Sequence, residues 1–158
     1  MVTRLAPDTR ALFASAEAEA RTSRSAVVEP EHLLLAMSTR ADTDAGLVLA
    51  AVGLTHDAIE QALDREVAAS LAVAGVSGVA NAQRRPGPEP PRRLRLSTSF
   101  KAALQRSVTA AKGSRQIRPA HVLLGVLGAQ VGTVPRALQF AGVDQAELAS
   151  LAEHALLE

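Results

Sequence analysis

Apolar residues recur along this chain at helical spacing, and the same arrangement of them comes round twice. Ile59, Leu63 and Val67 stand four residues apart, as do Phe100, Leu104 and Val108, with Ala111 one turn further on. Leu148, Leu151, Ala152 and Ala155 form a third stripe near the end. Steps of three and four residues stack side chains on one face of a helix, whereas a half-buried strand needs strict alternation. No convincing alternation of period two occurs, although Leu71 to Val79 is apolar enough to admit a strand.

The punctuation between these stripes divides the chain into helices. Pro7 and Asp8 suit the opening of a helix that runs to about Ser23, and Pro30 opens a second, since proline lacks an N–H that the first turn leaves unused anyway. A short third helix is predicted from Asp44 to Val52 and stops at Gly53, a residue suited to a left-handed cap. Thr55 then caps a fourth helix. After an interval the plan returns. Ser97 or Thr98 caps a fifth helix, Pro119 opens the next, Val134 to Phe140 is short and ends at Gly142, and the last begins near Asp144.

The return is a sequence duplication. Glu29-Pro30-Glu31-His32-Leu33-Leu34-Leu35-Ala36-Met37 reads against Arg118-Pro119-Ala120-His121-Val122-Leu123-Leu124-Gly125-Val126, with the prolines and histidines each 89 residues apart. The same offset aligns Ala51-Val52-Gly53-Leu54 with Phe140-Ala141-Gly142-Val143. Upstream, Leu5-Ala6-Pro7 meets Leu96-Ser97-Thr98 if the second copy is two residues shorter before its proline. An all-α fold of two four-helix repeats follows, with residues 1–70 as the first, 71–95 as a linker and 96–158 as the second, in one compact domain. Leu34, Leu63, Leu104 and Leu123 are the expected core positions. The linker's Arg84-Arg85-Pro86-Gly87-Pro88-Glu89-Pro90-Pro91-Arg92-Arg93 favours an extended surface path and reads as a spacer.

Composition narrows the function by exclusion. With 158 residues the chain buries roughly 70% of its unfolded surface, so it needs no crosslinks. It has no cysteine, which removes disulfides, thiol chemistry and thiolate metal sites. A net charge of +1 offers no general pull on nucleic acid or anionic membrane. Phe13, Phe100 and Phe140 are the only aromatics, too few for base stacking. Neither an apolar leader behind Arg4 and Arg10 nor a run near the ~20 residues of a membrane span is visible, so a soluble cytoplasmic protein is expected.

Candidate chemistry is sparse. No phosphate-binding loop occurs; Lys112-Gly113-Ser114 lacks the upstream glycine and strand, so ATP is not expected as a ligand. His32, His56, His121 and His154 show no paired helical spacing for a metal, and no cofactor is implied. Glu31-His32 could serve as an acid–base pair, but the repeat keeps His121 and replaces the glutamate with Ala120. A histidine kept in both copies reads better as packing or capping, and an enzyme is not expected. A DNA-reading helix is disfavoured by Glu29 and Glu31 at the start of the second helix, which repel phosphate.

The segments Glu31-His32-Leu33-Leu34-Leu35-Ala36-Met37 and His121-Val122-Leu123-Leu124-Gly125-Val126-Leu127 are each followed by a glycine-ended helix, Leu49-Ala50-Ala51-Val52-Gly53-Leu54 and Leu138-Gln139-Phe140-Ala141-Gly142-Val143. This double pattern resembles the Clp N-terminal repeat of ClpA- and ClpC-type unfoldases. The resemblance implies a pseudo-twofold bundle of eight helices that recruits adaptors, client proteins or small-molecule ligands and does no chemistry. No ATPase module follows, so a stand-alone regulator, adaptor or sequestering protein of the Clp system, or else a fragment, is expected, with the unfoldase, its adaptors or its clients as partners. A helical scaffold without any Clp connection is the alternative.

Some members of that family bind phosphoarginine at two symmetric sites, each pairing a hydroxyl at the first helix's start with the Glu before the motif His. Taken lobe by lobe, the first keeps Glu31 but has Ala6, and the second keeps Ser97 but has Ala120. Each site is then expected to have lost one half. Leu5 and Leu96 stand where the family carries an aromatic used by apolar ligands. The resemblance therefore places the binding surface in a groove between the lobes, near Leu5, Ala6, Glu31, Leu96 and Ser97.

Overall fold

The computed structural model describes residues 3–75 and 93–158. The first repeat runs β1 (Arg4–Leu5), α1 (Pro7–Thr22), β2 (Val27–Val28), α2 (Pro30–Ser38), α3 (Asp44–Ala51) and α4 (His56–Val73). The second runs β3 (Arg95–Leu96), α5 (Thr98–Ala110), β4 (Gln116–Ile117), α6 (Pro119–Leu127), α7 (Thr133–Phe140) and α8 (Gln145–Leu157). The described residues thus form eight helices, and the duplication shows in their limits. Pro30, Asp44 and His56 open helices whose counterparts open at Pro119, Thr133 and Gln145, each 89 residues on. The two missing residues come out of the first helix of the repeat and its end, since α5 has 13 residues where α1 has 16.

Helix ends follow local chemistry. Thr43, Thr55, Ser97 and Asp144 each accept an N–H from the first turn of the following helix. Gly53 and Gly142 take φ of 74° and 71° just past α3 and α7. Leu54 and Val143 then donate back to Leu49 and Leu138, closing the helix ends with a left-handed turn.

The four short strands lie outside what alternation in the sequence could show, because two residues cannot display a period. They matter for topology. β1 pairs in parallel with β4, and β2 with β3, so each repeat lends its leading strand to the other. Helices cross over in the same way: α4 packs on α7 and α3 on α8. One core results, with Leu12, Leu33, Leu34, Met37, Leu49, Ile59, Leu123, Leu138 and Leu148 almost fully buried.

Leu34 and Leu123 sit in that core as expected, whereas Leu63 and Leu104 lie partly buried at its edge. The buried lines are Ile59, Ala62 and Glu66 on α4 and Phe100, Ala103 and Ser107 on α5. Val67, Val108 and Leu151, placed inward by the apolar stripes, are 39%, 55% and 36% exposed. Small side chains carry the close approaches: a Cβ on Gly125 would collide with the Ala103 carbonyl and the Ser107 hydroxyl, so α6 reaches α5 at a distance large residues forbid. Of the stretch Leu71 to Val79, which admits a strand by its apolar run, residues 71–73 continue α4 and residues 76–79 lie outside the described residues. The proline- and arginine-rich stretch 84–92 lies outside the described residues.

Candidate functional site

The two histidines explain the motif without catalysis. His32 Nδ1 accepts the Glu29 N–H at 2.8 Å, and His121 Nδ1 accepts the Arg118 N–H at 2.9 Å. Each ring therefore caps the helix that carries it, with its proton on Nε2, where the Ser23 and Ser114 hydroxyls lie at 3.3 and 3.4 Å. Burial favours the neutral ring: His32 is lowered to about 4, and His121 is lowered by burial and by the Arg118 charge.

The crossed strands rearrange the predicted site residues. Ala6 donates its N–H to Ile117 O at 3.1 Å, which sets the start of α1 against the start of α6. Ser97 donates to Val28 O at 3.1 Å, which sets the start of α5 against the start of α2. The start of α1, with Leu5 and Ala6, therefore lies beside the start of α6, which carries Ala120, and the start of α5, with Ser97, lies beside the start of α2, which carries Glu31. Two corners are thus formed between the repeats, one from the helix starts that carry Ser97 and Glu31 and the other from those that carry Ala6 and Ala120.

At the Glu31 corner a cleft of about 290 Å³ lies between the first turn of α2, the first turns of α5 and the α6–α7 loop. Glu29, Glu31, Ser99, Arg106 and Thr133 supply its polar lining. Burial pushes the Glu31 carboxyl up to about 7; its own backbone N–H opposes this, while the Glu29 and Glu66 charges add to it. α5 offers the complementary end. Its first turn holds no acid, and Ser97, Thr98 and Ser99 surround a positive helix terminus. The start of α1, by contrast, has Ala6, Pro7 without an N–H, and Asp8.

Glu66 is a buried acid that the helical stripes concealed. It is 4% exposed and is held by Arg136 Nε at 2.8 Å and by the Ser70 hydroxyl at 2.8 Å. Leu96 borders a separate apolar hollow of about 280 Å³ with Phe13, Val28, Leu94, Phe100 and Leu104. His56, Asp57 and Glu60 bring metal-ligating atoms together, but His56 Nε2 already meets Glu19 at 2.9 Å and the group sits at the positive end of α4. Among the described residues no helix is long and apolar enough to cross a membrane.

The family model for the Clp repeat (R) N-terminal domain matches residues 4–113. The chain belongs to that family. Its fold is that of the N-terminal domain of the chaperone ClpD from Arabidopsis thaliana, with a TM-score of 0.72, 19% identity, and coverage of 100% of this chain and 98% of that one. The Hsp104 N-terminal domain from Candida albicans is similar too, with a TM-score of 0.67, 14% identity, and coverage of 94% and 89%. No curated protein matches the chain in sequence. Clp N-domains characteristically bind substrates and adaptors.

Proposed function

We propose that this protein is a non-catalytic recruiting module of the Clp protease system, cytoplasmic, and that it holds clients or adaptors at the Glu31–Ser97 corner. The observation that carries the reading is the crossing of the short strands, which unites a partly buried glutamate with a hydroxyl-rich, acid-free helix start. A phosphorylated arginine side chain fits both halves. Its N–H groups meet Glu29 and Glu31, and its phosphate meets the N-terminus of α5, where helix N–H groups and hydroxyls favour an anion.

Affinity capture from the protein's own cells, comparing wild type with Glu31→Ala, tests this. Clp unfoldase subunits, Clp adaptors or arginine-phosphorylated clients should be retained by wild type and depleted in the variant. Equal recovery in both, or none in either beside a working control, would contradict the reading. The hollow under Leu96 supports a second one, capture of an apolar small molecule, which a Leu96→Asp variant should weaken without affecting Glu31-dependent partners.

A further inference from the structure

We infer that the two twofold-related corners have diverged into an open one and a locked one, so that the molecule takes one ligand where the duplication provides two positions. The inference rests on the binding reading above and identifies the residues that decide valency. The locked corner lies at the start of α6. Asp44, at the head of α3, accepts the Ala120 N–H on Oδ1 at 2.9 Å, and its Oδ2 lies 2.9 Å from Arg118 Nε. The chain's own carboxylate thus caps the helix terminus, and its own guanidinium neutralises that carboxylate.

A second tie closes the loop above it. Arg40 lies 3.7 Å from Asp8 on α1 and 3.4 Å from Asp42, while the Thr43 hydroxyl donates to the Arg40 carbonyl at 2.7 Å. A Cβ at Gly46 would collide with that same carbonyl, so the loop is packed against the head of α3.

Every one of these groups has changed in the open corner. With a register of 91 residues at the start of the first helix and 89 after it, Asp8 corresponds to Ser99, Arg40 to Ala129, Asp44 to Thr133 and Arg118 to Glu29. All three ion pairs are gone. Among the described residues the Thr133 side chain makes no hydrogen bond, the loop runs through Gly128 and Gly132, and the 290 Å³ cleft occupies the space. Residues 8, 40, 44 and 118 are therefore the lock, and residues 99, 129, 133 and 29 its absence.

The test measures stoichiometry on the full chain with free phosphoarginine as the probe, by titration calorimetry. Wild type should bind one equivalent. Ala6→Ser, Asp8→Ser, Arg40→Ala, Asp44→Thr, Arg118→Glu and Ala120→Glu together open the second corner and should raise this to two; a folded variant that stays at one overturns the inference. Should that variant not fold, Ala129→Arg with Thr133→Asp transplants the lock's guanidinium and its capping carboxylate while leaving Glu29, Glu31, Ser97 and Ser99 in place. It should weaken binding by about tenfold or more, the scale of a lost charge-assisted hydrogen bond, with the melting temperature held; unchanged affinity overturns the inference. Absence of binding by wild type would sink the phosphoarginine reading instead. The lock is then read by amide exchange: the Ala120 amide should exchange about tenfold more slowly in wild type than in Asp44→Ala, and equal rates would refute it.

Discussion

At the scale of single residues, burial and pairing sort side chains that look alike in the sequence. Leu34 and Leu123 are 1% and 0% exposed, so cutting either to alanine should cost roughly 2–5 kcal/mol. The same change at Leu63 or Leu104, at the core's edge, should cost distinctly less in the same denaturant titration. Glu31 makes a prediction of definite sign. Its folded pKa of about 7 lies above the ordinary 4.5, so its contribution is fully present below pH 4.5 and is lost as pH rises through 7. Glu29, Glu66 with Arg136, and Arg106 are the charged groups facing it. Wild type should therefore lose stability relative to Glu31→Gln between pH 4.5 and 7 and run parallel to it above. Subtracting the two curves removes His32, whose lowered pKa acts oppositely: its contribution is present above pH 6.5 and lost as pH falls towards 4. A difference that is flat with pH would mean that Glu31 is not desolvated.

Between elements, the contacts that cross from one repeat to the other carry the most information. α4 meets α7 through Glu66 and Arg136, whereas the related α3–α8 contact has Ala155 and Leu47 at those positions. Arg136→Ala strands a carboxylate that is 5% exposed and should destabilise by on the order of 1–3 kcal/mol, since the guanidinium is itself half exposed. Glu66→Leu with Arg136→Leu should recover most of that loss, and a double variant as unstable as the single one would show that the pair is not coupled. This contact also shows where sequence reading stops. Helix starts were legible from Pro7, Pro30, Thr55, Ser97 and Pro119 because caps and prolines act locally. The buried faces of α4, α5 and α8 were less so. In alanine-rich helices Ala62, Ala103 and Ala152 do the packing while Val67, Val108 and Leu151 stay at the surface, and hydrophobicity alone ranks them the wrong way.

For the whole molecule, exchange of strands and helices makes two sequence repeats into one folding unit. A single cooperative thermal transition is expected, and residues 1–75 alone should not fold, because β1, β2, α3 and α4 would each lose a partner. Two separable transitions would contradict this. The duplication itself was plain in the sequence from Pro30, His32, Pro119 and His121. What it could not show was that each lobe's first helix starts beside the other lobe's motif helix, because that depends on pairings of two-residue strands across more than 60 positions, as Val28 with Leu96. The functional account turns on this one point. Nitrogen–proton correlation spectra of the full chain titrated with phosphoarginine test it most directly. The account predicts shifts concentrated at Glu29–His32, Ser97–Ala102 and Gly128–Val134, with Ala6–Thr9 and Arg118–His121 unmoved. Shifts of equal size at both corners, or only at the start of α6, would contradict it.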